Sequence, residues 1–432
     1  MLIESNNESK PISVILVGIR DKGLISDTAK PYLSAQESMD ELARLVLTLG
    51  WQPAGTILQE RDAPDSRTYV GKGKALELAG LAASREASFI VVDGALTPAQ
   101  ARNLEEITGV PAMDRAELIL RIFASRAMTR EGKLQVELAA TRHKLSRLTG
   151  YGTNMSALGG GIGTRGPGEQ KIEMDRRLAR NRIAKLNRDL KKVELIRTEQ
   201  RKKRSQSRVP VVSLVGYTNA GKSTLFNALT KEDAYQDDRL FATLDTWVRK
   251  WEIPSVQVVL LVDTVGFIQG LPHELVAAFR STLEESVDAD VIVHVIDASS
   301  PVWEQQMATV EGVLSDLGVS DRPRINCFNK VDLVPEDQAI AVVKEQRPSV
   351  AVSALHQTGL QELTDAVVGT LAETRQIATW FIPYSAYDLV FEIKRVGTVM
   401  EEHAEDSGVT VTVALLPGDA ERLAKRPGVV ER

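Results

Sequence analysis

The chain has a single cysteine among 432 residues, so no internal disulfide can brace it, and Cys327 lies in the apolar run INCF, where it reads as a packing residue. Histidine is scarce as well. The five present lack metal-ligand spacing, which argues against a histidine-built metal centre. No run approaches eighteen apolar residues, and the opening MLIESNNESK has neither a basic nor an apolar segment of the kind that directs export. The expectation is a cytoplasmic, monomeric protein with no membrane span. With 43% hydrophobic and 26% charged residues the chain is globular and long enough for two to four domains. Its net charge of −5 is small but unevenly spread.

The sharpest local pattern is GYTNAGKST at 216–224, directly after the apolar run VVSLV. Gly216, Gly221, Lys222 and Ser223 stand at the spacing of a phosphate-binding loop. A strand entering and a helix leaving would aim successive N–H groups and a helix N-terminus at an anion. Gly221 lets the backbone approach the phosphate, Lys222 reaches the terminal phosphates, and the Ser223 hydroxyl suits magnesium. This is the pattern of a nucleoside triphosphate site.

From residue 210 on, short apolar runs alternate with amphipathic stretches. Strands are expected at 211–215, 246–252, 256–262, 290–296, 324–328 and 349–353, and helices near 222–230, 273–286, 302–317, 336–345 and 358–373. That order predicts a doubly wound, mostly parallel α/β sheet with ligands at the strands' carboxyl ends. Two further motifs fall at such ends. In DTVG, Asp263 is placed for magnesium and the Gly266 amide for a terminal phosphate, with Thr264 and Val265 between them. In NKVD, Asp332 chooses the base: its carboxylate accepts from N1–H and the 2-amino group of guanine, whereas adenine offers neither donor. Asn329 would tie this loop to the phosphate loop, the Lys330 stem would cover the base, and Val331 completes the turn.

Between the first helix and the second strand, RLFATLDT (239–246) has Thr243 where it could close over magnesium and the last phosphate as a conformational switch. SAL, Ser353 to Leu355 through Ala354, could offer amides to the guanine carbonyl. The expected nucleotide contacts are therefore Gly216, Tyr217, Thr218, Asn219, Ala220, Gly221, Lys222, Ser223 and Thr224, then Phe241, Ala242, Thr243, Leu244 and Asp245, with the DTVG, NKVD and SAL residues. Lys222, Thr243 and Gly266 would act on the reaction, and Ser223, Thr243 and Asp263 on magnesium. Phe267 stands where a water-orienting glutamine could be, so hydrolysis by the chain alone should be slow.

The first half has a different character. Residues 13–125 alternate apolar strands (SVILVGI, FIVVDG) with helical patterns at 34–49, 73–85, 97–108 and 115–124, a second α/β unit. VGKGK at 70–74 lacks a lysine-hydroxyl ending and reads as a turn, a second nucleotide site being the lesser alternative. Leu134, Leu138, Thr141, Leu145 and Leu148, then Ile183, Leu186, Leu190 and Val193, recur at helical steps and predict a long antiparallel helical hairpin. From Lys171 to Arg208 there are fifteen Lys or Arg against five Asp or Glu, a net of +10 that leaves about −15 for the remainder. Such density suits nucleic-acid phosphates, with a solvated strut as the alternative. The glycine-rich 150–168 joins the helices, and 380–432 reads as a small strand, helix, strand unit with Ser385 as a cap and Gly397 as a stop. The domains expected are 1–125, 126–208, 209–376 and 377–432.

TYVGKGKALEL (68–78), GGGIGTRGPGEQKIEMDRR (159–177), GYTNAGKST, LFATLD, DTVGF and NKVD together resemble the HflX family of ribosome-associated GTPases. The resemblance covers the whole chain, and the 159–177 stretch is its most specific part. It implies a P-loop GTPase that binds the large ribosomal subunit and splits or rescues stalled ribosomes, with the hairpin tip toward the peptidyl transferase centre and Arg165, Arg176, Arg177, Arg180 and Arg182 on RNA. An assembly GTPase on immature subunits and a GTP-dependent protein scaffold are the alternatives. GTPases with asparagine at the position of Asn219 also use a potassium ion, a secondary expectation beside magnesium. One departure is DTWVR after the switch threonine, where a proline is expected after the aspartate; it bears on where the strand begins.

Overall fold

The computed structural model describes residues 11–20, 34–149, 167–207, 209–231, 241, 247–253, 258–271, 289–335, 348–373, 376–415 and 417–431. The helices expected near 273–286 and 336–345, and most of the 150–168 loop, lie outside these residues. No helix among the described residues is long and apolar enough to cross a membrane.

The N-terminal sheet is parallel, with strand order β2 (Gln52–Glu60), β1 (Ser13–Arg20), β3 (Phe89–Val92), β4 (Ala112–Asp114). Alternation along β1 sorts the core. Val14 and Leu16 face α1 (Ala35–Thr48) and α4 (Arg115–Arg126), whereas Ile15 and Val17 face α2 (Lys72–Ser84) and α3 (Pro98–Thr108). Helix starts are chemically marked: Ser34 and Thr97 form capping boxes with Glu37 and Gln100, and Asp114 accepts from the Glu117 amide. Gly71 begins α2, its amide held by Gln59 Oε1 at 2.8 Å, so VGKGK is a turn into a helix.

Helix α5 (Arg130–Thr149) packs antiparallel on the 41-residue α6 (Pro167–Ser207), as the two apolar stripes require. Val136 and Ala139 of α5 join the core under α1 and α4, so this helix is buried on a second side and is docked to the N-terminal unit. Arg176 closes the hairpin by donating to the Leu148 carbonyl at 2.8 Å.

The central sheet runs β10 (Ser349–Ala351), β9 (Arg324–Asn329), β8 (Val291–Asp297), β5 (Val211–Gly216), β7 (Val259–Asp263), β6 (Trp247–Trp251), all parallel except the antiparallel β6 edge. Helices α7 (Lys222–Thr230), α8 (Trp303–Asp316) and α9 (Leu360–Glu373) cover it. The last sheet is antiparallel, β12 (Thr398–Glu405), β13 (Gly408–Leu415), β11 (Gln376–Pro383), β14 (Val430–Glu431), with α10 (Asp388–Val396) and α11 (Pro417–Ala424) on one face. Here the strand, helix, strand expectation needs correction, because β12, α11 and β14 are added. Ser385 is not a cap: it lies in a short 3-10 turn, Tyr384–Ala386, and α10 starts after Tyr387 without a side-chain cap. Gly397 does end α10.

His294 in β8 is a packing residue with a consequence. It is 1% exposed, its Nδ1 has no partner among the described residues, and burial, with Arg324 and Lys222 adding to it, pushes its pKa down to about 3. The folded state therefore keeps it neutral while the unfolded chain takes up a proton below about pH 6.5, so stability falls as pH drops through that value. Between pH 7 and 5 this group should remove about 2 kcal/mol. Urea midpoints at the two pH values should shift less in His294→Leu than in the parent; an equal shift would assign the loss to other groups.

Candidate nucleotide site

The three motifs converge at the carboxyl ends of β5, β7 and β9. Gly221 caps α7 at φ 91, and any Cβ there would collide with the Asn329 amide, so only glycine satisfies both the turn and the crossing side chain. Asn329 is buried and fixes the geometry from below: its Nδ2 donates to the Ala220 carbonyl at 2.9 Å, and its Oδ1 accepts from the Ala354 amide at 3.0 Å. In this structure the Ala354 amide, expected as a donor to guanine, donates to Asn329. Ser353 Oγ accepts from the His356 amide at 3.2 Å, while the Leu355 side chain is exposed. Lys330 adopts φ 62 and its Nζ sits 2.7 Å from Asp297, an ion pair that holds its side chain.

At the phosphate end, Lys222 is buried, and its Nζ donates to the carbonyls of Gly216 and Tyr217 at 3.0 and 2.8 Å. Burial pushes its pKa down to about 8 even though Asp263 pulls the other way. A buried ammonium satisfied mainly by carbonyls gains from a multiply charged anion. Ser223 Oγ donates to Asp263 Oδ2 at 2.9 Å, which gathers the hydroxyl and carboxylate oxygens that a hard divalent cation takes. Gly266 lies against this group: a Cβ there would sit 3.0 Å from Lys222 Nζ and from the Thr218 Cα. Asn219 is exposed at φ 62 on the loop's outer side.

Several expected contacts are turned elsewhere. The Thr264 hydroxyl is buried and donates to the Leu214 carbonyl at 2.7 Å, and Val265 packs into the core. The Phe241 ring is buried against Phe123 of α4, centroids 4.6 Å apart. Ala242, Thr243, Leu244, Asp245 and Arg165 lie outside the described residues. Strand β6 begins at Trp247. The Tyr217 side chain leaves the nucleotide altogether and enters the N-terminal unit, a course that no local signal in the sequence indicates.

Family models match in the same order as the folded units: a GTP-binding GTPase N-terminal model over 36–124, a GTP-binding GTPase middle region over 126–204 and a 50S ribosome-binding GTPase model over 211–330. The GTPase HflX of Caldanaerobacter subterraneus is 44% identical over 90% of both chains. This protein belongs to the HflX family of GTPases. The GTPase HflX of Escherichia coli is 40% identical, covering 91% of this chain and 94% of its own. A solved GDP complex of SsGBP aligns with 84% of this chain and 99% of its own at 23% identity and a TM-score of 0.48, too distant to bear on the site. As an HflX GTPase the chain hydrolyses GTP on a P-loop fold and carries a ribosome-binding GTPase domain.

Proposed function

We propose that this HflX GTPase is a cytoplasmic monomer that binds the large ribosomal subunit in its GTP state and splits or rescues stalled ribosomes. The observation that carries this is the basic face of α6. Arg177, Lys185, Arg188, Lys191 and Lys192 are exposed along one long helix, while the rest of the chain is acidic. Arg180 is also exposed, with Glu173 at 3.6 Å. Arg182 pairs with Glu137 at 2.5 Å across the hairpin, but both are well exposed, so the pair contributes little and can open to a phosphate. Arg176 is held at Leu148 and serves the hairpin itself. Arg165 belongs to the tip and is proposed to meet RNA first.

In the reaction, the P-loop amides and Lys222 bind the phosphates, Asp332 reads guanine, and Gly266 faces the terminal phosphate. Ser223 and Asp263 would hold magnesium, with Thr243 joining them when the switch closes; the ion supplies charge neutralisation for the transferred phosphoryl group.

Reversing Arg177, Arg180, Lys185 and Arg188 to Glu should weaken binding to purified large subunits and flatten the log K against log salt slope by roughly 3–4, about 0.7–0.9 for each phosphate no longer neutralised. GTP affinity should stay the same. Equal subunit affinity for parent and variant at two salt concentrations would leave α6 as a solvated strut and favour a protein scaffold. A splitting assay on intact ribosomes then separates splitting from assembly: the parent with GTP should release both subunits, and binding confined to immature subunits would make it an assembly factor.

A further inference from the structure

A buried polar link joins the central and N-terminal units. Tyr217, in the phosphate loop, is 4% exposed; its hydroxyl donates to Glu41 Oε1 of α1 at 2.6 Å and accepts from the Gln269 amide at 2.9 Å. Glu41 is itself buried and paired with Arg115, whose other nitrogen holds Asp93 at 2.7 Å and Ser38 Oγ at 3.1 Å. Tyr69 of the TYVGKGK stretch donates to the Asp93 carbonyl at 3.0 Å, so the link reaches from that turn to the phosphate loop.

Gln269 is three residues beyond Gly266. The segment between is already zipped to the phosphate loop, Thr218 N–H to Phe267 O at 2.7 Å and Phe267 N–H to Gly216 O at 3.1 Å. The Tyr217–Gln269 bond adds a polar tie from the end of this segment, through Glu41, to α1. A phenol has one proton to donate and can still accept. Because a carboxylate only accepts, Glu41 takes that proton and leaves the lone pair aimed at the Gln269 amide. An uncharged amide at position 41 could instead donate to the phenol, free its hydroxyl to rotate and orphan the Gln269 N–H.

We propose that Glu41 is a positioning residue for GTP hydrolysis, acting through the Tyr217 hydroxyl and the Gln269 amide to hold Gly266 where the terminal phosphate arrives. Small misplacements at a reacting phosphate are costly in rate, whereas the β-phosphate contacts of GDP do not involve this segment. The mechanism concerns hydrolysis by the chain alone and stands whether or not a ribosomal subunit is the partner.

Tyr217→Phe should lower the single-turnover GTP hydrolysis rate about tenfold, and Glu41→Gln several-fold, with GDP affinity within about twofold of the parent. Hydrogen exchange of the 263–271 segment should show one amide losing protection in both variants, in keeping with an orphaned Gln269 N–H. Parent-like rates and exchange in Glu41→Gln would overturn the proposal. So would a rate loss matched by an equal loss of GDP affinity, which would mean general disorder of the phosphate loop. Should Tyr217→Phe fold poorly, Glu41→Gln keeps the side-chain shape and decides alone.

Discussion

Asp332→Asn should lower GTP affinity by about two to four orders of magnitude and make xanthosine triphosphate the better ligand. Asp332 lies in the short 3-10 turn Val331–Leu333 that follows β9, and Asn329 below it anchors that turn to the phosphate loop and to Ala354. Two hydrogen bonds from guanine to a carboxylate are each worth about 1.5–3 kcal/mol, and the substitution loses both their charge and the match to the 2-amino group. An asparagine can accept from N1–H and donate to the 2-oxo group of xanthine, so the preference inverts and is not merely lost. Titration with fluorescent GTP and xanthosine triphosphate analogues checks this, and unchanged GTP affinity would remove Asp332 from base reading. His356, 3.7 Å from Asp332 and mostly exposed, is a peripheral neighbour whose replacement should matter far less.

The contrast between Asp332 and Tyr217 shows what a sequence can disclose. Base and phosphate motifs are short, contiguous and set at strand ends, so their chemistry is written locally. Tyr217 and Glu41 are 176 residues apart, and each alone looks ordinary: a tyrosine at a variable loop position and a glutamate within an amphipathic helix. Only the packing of α1 against the phosphate loop brings them together. Phe241 is similar, since its ring packs against Phe123 of α4.

The missed strands have local causes. In β2, QPAGTILQE, a proline and a glycine interrupt a half-buried strand, so period-two alternation never develops. In β12, TVMEEHAE, the residues from Met400 to Ala404 are exposed on a sheet edge, and acidic side chains suit that edge while hiding the strand signal. The α/β order around the phosphate loop was legible because its strands are buried on both faces and read as unbroken apolar runs. The helical hairpin was legible for a related reason: α5 and α6 are long enough for their stripes to repeat.

Hydrolysis should be slow for the isolated protein and strongly accelerated by the large subunit. Phe267, the residue after DTVG, is fully buried with Ile268 in the core shared with α4, so it can neither hydrogen-bond nor orient an attacking water. Arg115, linked to the phosphate loop through Glu41 and Tyr217, is engaged with Glu41 and Asp93 and is not available to neutralise the transition state. A GTPase with a water-orienting glutamine but no arginine finger runs at about 3–5 × 10⁻⁴ per second, and supplying the arginine gives about 10³–10⁵-fold, so a site with Phe267 in place of the glutamine should be no faster by itself. The proposed source is the ribosomal subunit, which would bring a polar group to the water. A smaller effect, several-fold, is expected on replacing potassium with sodium if the exposed Asn219 side chain helps hold a monovalent cation beside the phosphates. Single-turnover hydrolysis with and without large subunits, in each salt, measures both. A fast rate without subunits would refute partner activation, since the chain would then already contain the missing group. Identical rates in the two salts would leave Asn219 only its backbone role, where its φ of 62 suits an asparagine and lets the loop curl around the anion.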